Sequence, residues 1–210
     1  MGKTAARGRP RNFDIEQSLQ AALQVFLEKG YEGASLDDLT VAMGISRPSL
    51  YAAFGNKEAL FLRVLSLYSD PSFETMKDIL FTENRSVQQS FEALFSWFSQ
   101  NHSCQDQMQG CLMVNSTILC RADNPDTHAR LQTLNLRNEN LFQERLEQAI
   151  EQEELSPQAD VRALAQYFNG LMQGMGVMAR QRNSAEILEN IAKTGLQVFS
   201  CFIRDVKNEA

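Results

Sequence analysis

Residues 44–60, GISRPSLYAAFGNKEAL, contain the turn and the short helix that decide the fold. Gly44 ends one helical pattern, and Ser46 is placed to cap the next. Pro48 is tolerated in the first turn because the N–H groups there have no partner within the helix. Leu50 and Phe54, four residues apart, face inward. Residues 47–49, 51 and 52 then point mainly outward, which predicts a helix-turn-helix with a compact exposed face.

Helical periodicity continues on both sides of this motif, and strand patterns are nearly absent. Ser35 and Asp38 form a capping-box pattern that opens the helix before the turn, and Asn56 can cap the helix after it. An all-α fold is therefore predicted. The predicted helices cover residues 15–30, 36–43, 47–54, 57–67, 73–81, 86–101, 110–121, 127–152, 157–182 and 184–204.

Composition describes an ordinary globular chain. The 210 residues are 43% hydrophobic and 22% charged, which argues against wholesale disorder and disulfide scaffolds. Charged or amide residues interrupt every apolar run before it reaches the roughly 18 residues of a membrane helix, so no membrane partner is expected. Asp14 and Glu16 stand where a signal peptide would be apolar, so a cytoplasmic protein with reduced cysteines is expected.

Charge is divided unevenly along the chain. Residues 1–63 hold eight Lys/Arg and seven Asp/Glu, a net of +1, whereas residues 64–210 hold twelve and nineteen, a net of −7. Lys3, Arg7, Arg9 and Arg11 precede any acid. This stretch is either an arm that docks on phosphates or an A·T-rich minor groove, or a solubilising terminus.

The outward face of the helix after Gly44 carries small side chains, hydroxyls, an aromatic ring and Arg47. No acid lies between Arg47 and Lys57. An ordinary surface helix usually shows Glu and Lys pairs there. This face therefore favours insertion into a DNA major groove over a merely solvated surface.

Residues 44–60 strongly resemble the DNA-binding motif of the tetracycline-repressor (TetR) family of bacterial regulators. The resemblance implies a dimeric DNA-binding regulator, most simply a repressor, that a small-molecule effector releases from a palindromic operator. The sequence has no glycine-rich phosphate loop, nucleophile-elbow pattern or zinc signature, so neither an enzyme nor a cofactor is expected. The resemblance further implies an N-terminal three-helix DNA-binding domain over residues 1–56. Residues 57–210 would form an antiparallel helical bundle for ligand binding and dimerisation, with residues 57–67 as the connecting helix. The matching positions are Phe26, Gly30, Tyr31, Ser35, Leu36, Ile45, Leu50, Tyr51, Phe54, Lys57 and Leu60.

The resemblance also implies roles for single residues. Arg47 and Ser49 would read base edges, Pro48 and Ala52 would touch thymine methyl groups, and Ala53 would lie near the DNA backbone. Tyr51 and Lys57 would contact phosphates. The expected DNA-contacting set is Arg7, Arg9, Arg11, Ser35, Arg47, Pro48, Ser49, Tyr51, Ala52, Ala53 and Lys57.

Two later segments are rich in aromatic residues and methionine, which suits either an adaptable apolar pocket or plain core. Gly170 and Gly174 indicate either a close subunit contact or tight packing within the chain. For the dimer interface the last two long helices are expected, with Ile191, Gly195, Leu196 and Phe199 as an apolar face. The expected effector-binding set is Phe91, Phe95, Phe98, Cys111, Asn115, Tyr167, Met172 and Met175.

Cys111 opens a predicted helix in the run Gly110-Cys111-Leu112, where N–H groups and the helix dipole favour a thiolate. The run resembles a glycine-cysteine motif of a TetR subset whose members include sensors of oxidants and electrophiles, with Cys104 or Cys120 as a resolving thiol. A buried apolar thiol is the other interpretation. A thiol enzyme using His102 or His128 is a further alternative. These histidines and cysteines have no recognised ligand spacing, so no metal site is expected.

Overall fold

The computed structural model describes residues 13–102, 111–119, 125–181 and 184–203, without the side chains of residues 115 and 117–119. Within these ranges the chain is helical, and the one β feature is an isolated antiparallel bridge between Leu155 and Ile203. The predicted all-α class is confirmed. The helices are α1 (Ile15–Gly33), α2 (Leu36–Met43), α3 (Arg47–Phe54), α4 (Lys57–Leu80), α5 (Val87–His102), α6 (Leu112–Leu119), α7 (Pro125–Glu151), α8 (Val161–Arg180) and α9 (Ala185–Leu196), followed by a 3-10 helix (Gln197–Cys201).

The N-terminal helices begin where their capping residues predict. The side chains of Asp14, Ser35, Ser46 and Asn56 each accept a backbone N–H from the first turn of the helix that follows, which satisfies donors that have no partner within the helix. α1 does not stop at Gly30 as expected. Its regular geometry breaks there, at φ 71°, and one further turn continues to Gly33.

α4 is longer than the sequence pattern indicated. The helix that begins at Lys57 does not end near Leu67 but continues through Pro71 to Leu80, so the predicted segments 57–67 and 73–81 form one helix of 24 residues. Carbonyl groups next to the proline accept hydrogen bonds from side chains: Tyr68 from the Ser72 hydroxyl, and Ser69 from the Arg137 guanidinium. The carbonyl that loses its helical donor is that of Leu67, four residues before the proline, so these contacts support the turn around the proline and do not replace the missing hydrogen bond.

Polar contacts tie α4 to α7. The Glu58 carboxylate accepts the backbone N–H and the hydroxyl of Thr127, at 3.2 and 3.1 Å, and so caps α7 from another helix. Farther along, Arg137 donates to Asp70 at 2.9 Å and lies 4.2 Å from the centre of the Phe73 ring. The helix that follows the helix-turn-helix is therefore joined to α7 at more than one point along its length.

The larger helical part is built around an aromatic cluster. The Phe91 ring on α5 contacts Phe168 at 4.5 Å and both Phe142 and Phe199 at 5.6 Å between centroids. All four rings are fully buried. α5, α7, α8 and the 3-10 helix are held together by this core.

The C-terminal helices are shorter than expected. α8 begins at Val161, capped by Asp160, and α9 gives way to the 3-10 helix after Leu196. The expected dimer face on α9 was also partly wrong. Gly195, Leu196 and Phe199 are buried within the chain, and a Cβ at Gly195 would lie 2.4 Å from Leu171. Gly195 packs against α8, Phe199 of the 3-10 helix packs against Phe91 and Phe168, and these buried residues are not available to a second subunit.

Candidate nucleic-acid interface

The turn between α2 and α3 is a left-handed cap. Gly44 has φ 64° and ψ 28°, a conformation that glycine adopts without steric cost. Its N–H and that of Ile45 return to carbonyls of the last turn of α2, the latter at 3.1 Å to Thr40. This closed turn fixes the angle at which α3 leaves α2 and so orients the exposed face of α3.

α3 presents the face that its periodicity predicts. Leu50 and Phe54 are buried, while Arg47, Pro48, Tyr51 and Ala52 are exposed. About half of Tyr51, 51% of its surface, is accessible. Ser49 and Ala53 are half-buried, and the Ser49 hydroxyl shares a hydrogen bond of 2.9 Å with that of Ser46. The exposed part of α3 is therefore a narrow ridge with small, aromatic and cationic side chains.

Arg47 is paired with an acid that the sequence interpretation did not single out. Its Nε and Nη2 donate to Oδ1 of Asp37 in the first turn of α2, at 3.1 and 2.8 Å. Both side chains remain accessible, at 55% for Arg47 and 72% for Asp37. In the sequence, Asp37 is simply the residue after Leu36, and no pattern of spacing indicates that it pairs with Arg47.

Lys57 and Arg63 lie at the other end of α3. The Lys57 ammonium is 4.5 Å from the centre of the Tyr31 ring, and partial burial lowers the Lys57 pKa while Glu32 opposes that shift. Arg63, which the sequence interpretation missed, donates to the Ala53 carbonyl at 3.3 Å and lies 5.7 Å from the Phe54 ring centre. These cations border the end of α3 where the chain turns into α4.

The remaining predicted DNA residues are Ser35 and the arm. Ser35 is exposed, but its hydroxyl is engaged in the capping box, donating to Asp38 at 2.7 Å and accepting the Asp38 N–H at 3.0 Å. The pKa of Asp38 falls well below its ordinary range because of hydrogen bonds from Lys29 and Ser35. Arg7, Arg9 and Arg11 lie outside the described residues.

The residues expected to bind an effector do not lie together: some are in the core, one is on the outer face of α8, and two belong to the polar cluster described in the next paragraph. Phe91, Phe95, Met172 and Met175 are buried in the core of the larger part. Tyr167 lies on the outer face of α8, where its hydroxyl donates to the Gly195 carbonyl at 3.0 Å. The side chain of Asn115 is outside the described set. A cleft of ≈ 460 Å³ between α5 and α9 is lined by other residues, among them Glu92, Glu189 and Lys193.

Phe98 and Cys111 belong to a buried polar cluster with His102 and Tyr68. The His102 ring stacks on Phe98 with centroids 4.1 Å apart. Its Nδ1 is 3.0 Å from the Phe98 carbonyl, which can only accept, so Nδ1 carries a proton. Its Nε2 is 3.0 Å from the Tyr68 hydroxyl, which donates to a neutral ring and accepts from an imidazolium. Cys104 and Cys120, the proposed resolving thiols, lie outside the described residues.

The thiol of Cys111 is acidified by these neighbours. Burial by itself raises the Cys111 pKa, but hydrogen bonding and Coulombic attraction to His102 outweigh it, with smaller help from the Val114 backbone and Tyr68, so the pKa lies below its ordinary value. The same enclosure raises the pKa of Tyr68, first through burial and then through Cys111. The cluster favours a thiolate in a site closed to bulk water.

Comparison with known proteins gives the chain a family. The sequence family described as "Bacterial regulatory proteins, tetR family" matches residues 19–64, and "Tetracyclin repressor-like, C-terminal domain" matches residues 87–194. The HTH-type transcriptional repressor ComR of Escherichia coli (strain K12) is 36% identical over 92% of both chains. The chain belongs to the TetR family of bacterial transcriptional regulators. The resemblance carried by residues 44–60 is thereby confirmed.

Two solved structures share the fold of this TetR-family chain. A cysteine mutant of the TetR family transcriptional regulator CifR, complexed with a 26-bp double-strand operator DNA, has 32% identity and a TM-score of 0.84, covering 90% of this chain and 98% of its own. The reduced form of Escherichia coli NemR has 20% identity and a TM-score of 0.78, covering 91% and 97%. The second similarity supports the fold alone.

Two other features, a metal site and a membrane-spanning helix, are not found within the described ranges of this TetR-family chain. Among the described residues, no group of three or more His, Cys, Asp or Glu side chains is arranged to hold a metal ion. Of the helices in the part of the chain that the structure describes, none has the length and apolar character needed to cross a membrane.

Proposed function

We propose that the chain is a homodimeric repressor that binds a palindromic DNA operator through α3 and is released from it by an effector. Residues 1–56 serve as the DNA-binding domain, and residues 57–210 as the effector-binding and dimerisation domain. The operator is contacted by the residues named from the sequence, with the arm at Arg7, Arg9 and Arg11 supplying additional phosphate or minor-groove contacts.

The exposed ridge of α3 is the observation that carries this proposal. Arg47 and Tyr51 are accessible, and the exposed Pro48 and Ala52 beside them are small enough for bases to approach. A major groove admits one α-helix, and an arginine pairs in bidentate fashion with guanine O6 and N7. With Lys57 bordering the far end, the ridge combines base-reading and phosphate-binding groups on one side.

The CifR complex supports double-stranded operator DNA as the partner. That protein is 32% identical to this chain over 90% of its length and was solved on a 26-bp operator. An identity at this level over nearly the whole chain favours the same class of ligand for α3.

The outer face of α8 supports a dimer. Ala163, Tyr167, Gly170 and Gly174 are exposed at helical spacing, and a Cβ at either glycine would meet no atom within 4 Å. The glycines are therefore not explained by packing within the chain. A second copy related by a two-fold axis would bury this stripe, together with the 40% exposed Ile187 on α9.

Release follows from differential affinity. The effector binds more tightly to a form of the dimer in which the spacing of the two recognition helices does not fit the operator. It therefore lowers the affinity for DNA, and DNA lowers the affinity for the effector by the same factor. α4 is a suitable link, since it begins beside the α3 ridge and carries Tyr68 of the buried cluster.

Reaction at Cys111 is a second candidate for the releasing signal. The observation that favours it is the cluster of Cys111, His102 and Tyr68, whose contacts lower the thiol pKa. A thiolate reacts with electrophiles, whereas a thiol does not. An adduct on a thiol this deeply buried forces its neighbours apart, and Tyr68 transmits the displacement to α4.

Selection from a library of randomised duplexes tests the proposal. We expect the wild-type protein to enrich a palindrome with half-sites about one helical turn, or a multiple of it, apart. Arg47→Ala should weaken binding to the enriched duplex about 5- to 150-fold and reduce discrimination at one base position. Arg162→Ala, which removes the same charge from an exposed site on α8, is the matched control. A wild-type protein that enriches no sequence, or equal losses on enriched and unrelated duplexes, would contradict the proposal.

A further inference from the structure

The ion pair between Asp37 and Arg47 joins the two helices of the helix-turn-helix on its exposed side. Both donated hydrogens, from Nε and Nη2 of Arg47, go to the single oxygen Oδ1 of Asp37. Each residue lies in the first turn of a short helix that is capped by a serine, Ser35 or Ser46. The two ends of the contact are therefore held by ordered backbone.

General DNA affinity does not explain an acid at this position, and the stabilisation that a carboxylate in the first turn of α2 gains from the helix dipole does not require a contact with Arg47. An ion pair between exposed side chains contributes little to stability. A carboxylate on a surface that approaches phosphates reduces affinity for any duplex. The neighbouring Asp38, by contrast, has a structural use, because it completes the capping box and binds Lys29 at 2.6 Å.

The geometry of the pair leaves one edge of Arg47 available. A guanidinium has five N–H donors in a planar fork, and Asp37 engages the Nε hydrogen and one hydrogen of Nη2. One Nη1 hydrogen and the second Nη2 hydrogen lie side by side on the edge at the end of the guanidinium, and the other Nη1 hydrogen points back toward Cδ. Two parallel donors on that edge match the O6 and N7 acceptors of guanine.

We propose that Asp37 is a positioning residue that sets base preference by holding the guanidinium of Arg47 with its Nη1–Nη2 edge toward the DNA. This inference rests on the proposed function of α3. A long arginine side chain held in one orientation before binding loses less conformational entropy when it pairs with a base. With Asp37 at this position, the protein binds DNA in general less tightly but discriminates better in favour of guanine opposite Arg47.

Parallel selections from one randomised duplex library, with wild type, Asp37→Ala, Arg47→Ala and the double variant, test the inference. The guanine whose enrichment is lost with Arg47→Ala identifies the contacted position. At that position, Asp37→Ala should lower the preference for guanine about three- to tenfold, from the cost of ordering one side chain. Its affinity for an unrelated duplex should stay equal or rise, because a negative charge is gone.

Two controls separate positioning from other roles. Glu28→Gln removes one negative charge from an exposed site on α1 and should leave the guanine preference unchanged. In the Arg47→Ala background, the further change Asp37→Ala should have no effect on base preference, because its effect acts only through the guanidinium.

Three results would overturn the inference. One is an unchanged guanine preference in Asp37→Ala. Another is a gain in affinity for the selected and unrelated duplexes alike, which would make Asp37 a simple competitor of DNA for Arg47. The third is an equal change of preference with and without Arg47, which indicates a structural role. A fourth result, in which the wild-type protein selects no sequence, would contradict the proposed function itself and can be told apart from these three.

Discussion

Cys111 shares its buried site with two groups whose titration is linked to its own. Because the Cys111 pKa lies below the ordinary value of a thiol, the thiolate fraction reaches its plateau at lower pH than in an unfolded chain. We expect His102→Gln to remove the main acidifying contact and to move the midpoint of iodoacetamide alkylation at Cys111 to higher pH. Peptide mass spectrometry measures alkylation at Cys111 separately from the other cysteines.

The exposed Cys201 provides an internal control, since its alkylation profile should not respond to His102→Gln. If alkylation of Cys111 is also the signal that releases DNA, N-ethylmaleimide should abolish operator binding by the wild type and by Cys201→Ser but not by Cys111→Ser. An alkylation midpoint that His102→Gln leaves in place would show that the cluster does not activate the thiol.

At the scale of single residues, the sequence was most informative where the interaction is local. The caps at Ser35, Ser46 and Asn56 join atoms no more than three residues apart, so residue type and spacing suffice to predict them. The pair of Asp37 and Arg47 spans ten residues and depends on the angle between two helices. Exposed charged side chains have many alternative partners, and no pattern in the sequence selects one.

At the scale of elements, Pro71 inside α4 leads to a prediction about stability. The proline supplies no N–H to the Leu67 carbonyl, and it costs about 3 kcal/mol relative to alanine in a helix interior. Pro71→Ala also raises the conformational entropy of the unfolded chain, which cancels about 0.4–1 kcal/mol of that gain in stability. We therefore expect the free energy of unfolding to rise by about 2 kcal/mol in urea titrations at one fixed protein concentration.

Glu74→Ala, at an exposed position one turn later in α4, is the matched control and should change that free energy by no more than about 0.5 kcal/mol. Equal unfolding midpoints for the two variants would show that the surrounding contacts already remove the cost of the proline.

The lengths of α4 and α9 were mispredicted for related physical reasons. A proline is a reliable local sign of a break, but contacts from α7, through Arg137, outweigh it here. Conversely, the pattern after Leu196 stays helical, yet the chain tightens into a 3-10 helix that places Phe199 against Phe91 and Phe168. Both outcomes depend on tertiary packing, which a single sequence does not reveal. The aromatic residues were recognised as a group that suits either a pocket or plain core, and the structure packs Phe91, Phe142, Phe168 and Phe199 together as core.

For the molecule as a whole, the glycine stripe on α8 predicts how the assembly depends on one side chain. Gly174→Leu meets no atom of its own chain near the added Cβ, and replacing glycine within a helix favours folding. We expect the variant to keep its helical content and to sediment as a monomer, because leucine keeps the two copies of α8 apart. Sedimentation equilibrium measures the change.

Glu144→Leu adds the same side chain to an exposed site on α7 and should leave the assembly unchanged. A Gly174→Leu protein that remains a dimer and binds operator as tightly as the wild type would place the subunit contact elsewhere.

The unbroken course of α4 has a mechanical consequence. Its 24 residues make a rod about 36 Å long. Pivoting this rod by about 5° around Leu80 swings Lys57 through about 3 Å, given the rise per residue of an α-helix. In the proposed dimer, the same movement in both subunits would change the separation of the two α3 helices by up to about 6 Å, whereas adjacent half-sites lie about 34 Å apart. A displacement the size of one added functional group near Tyr68 is thus enough to change the spacing of the two α3 helices, which then no longer matches the helical repeat of DNA.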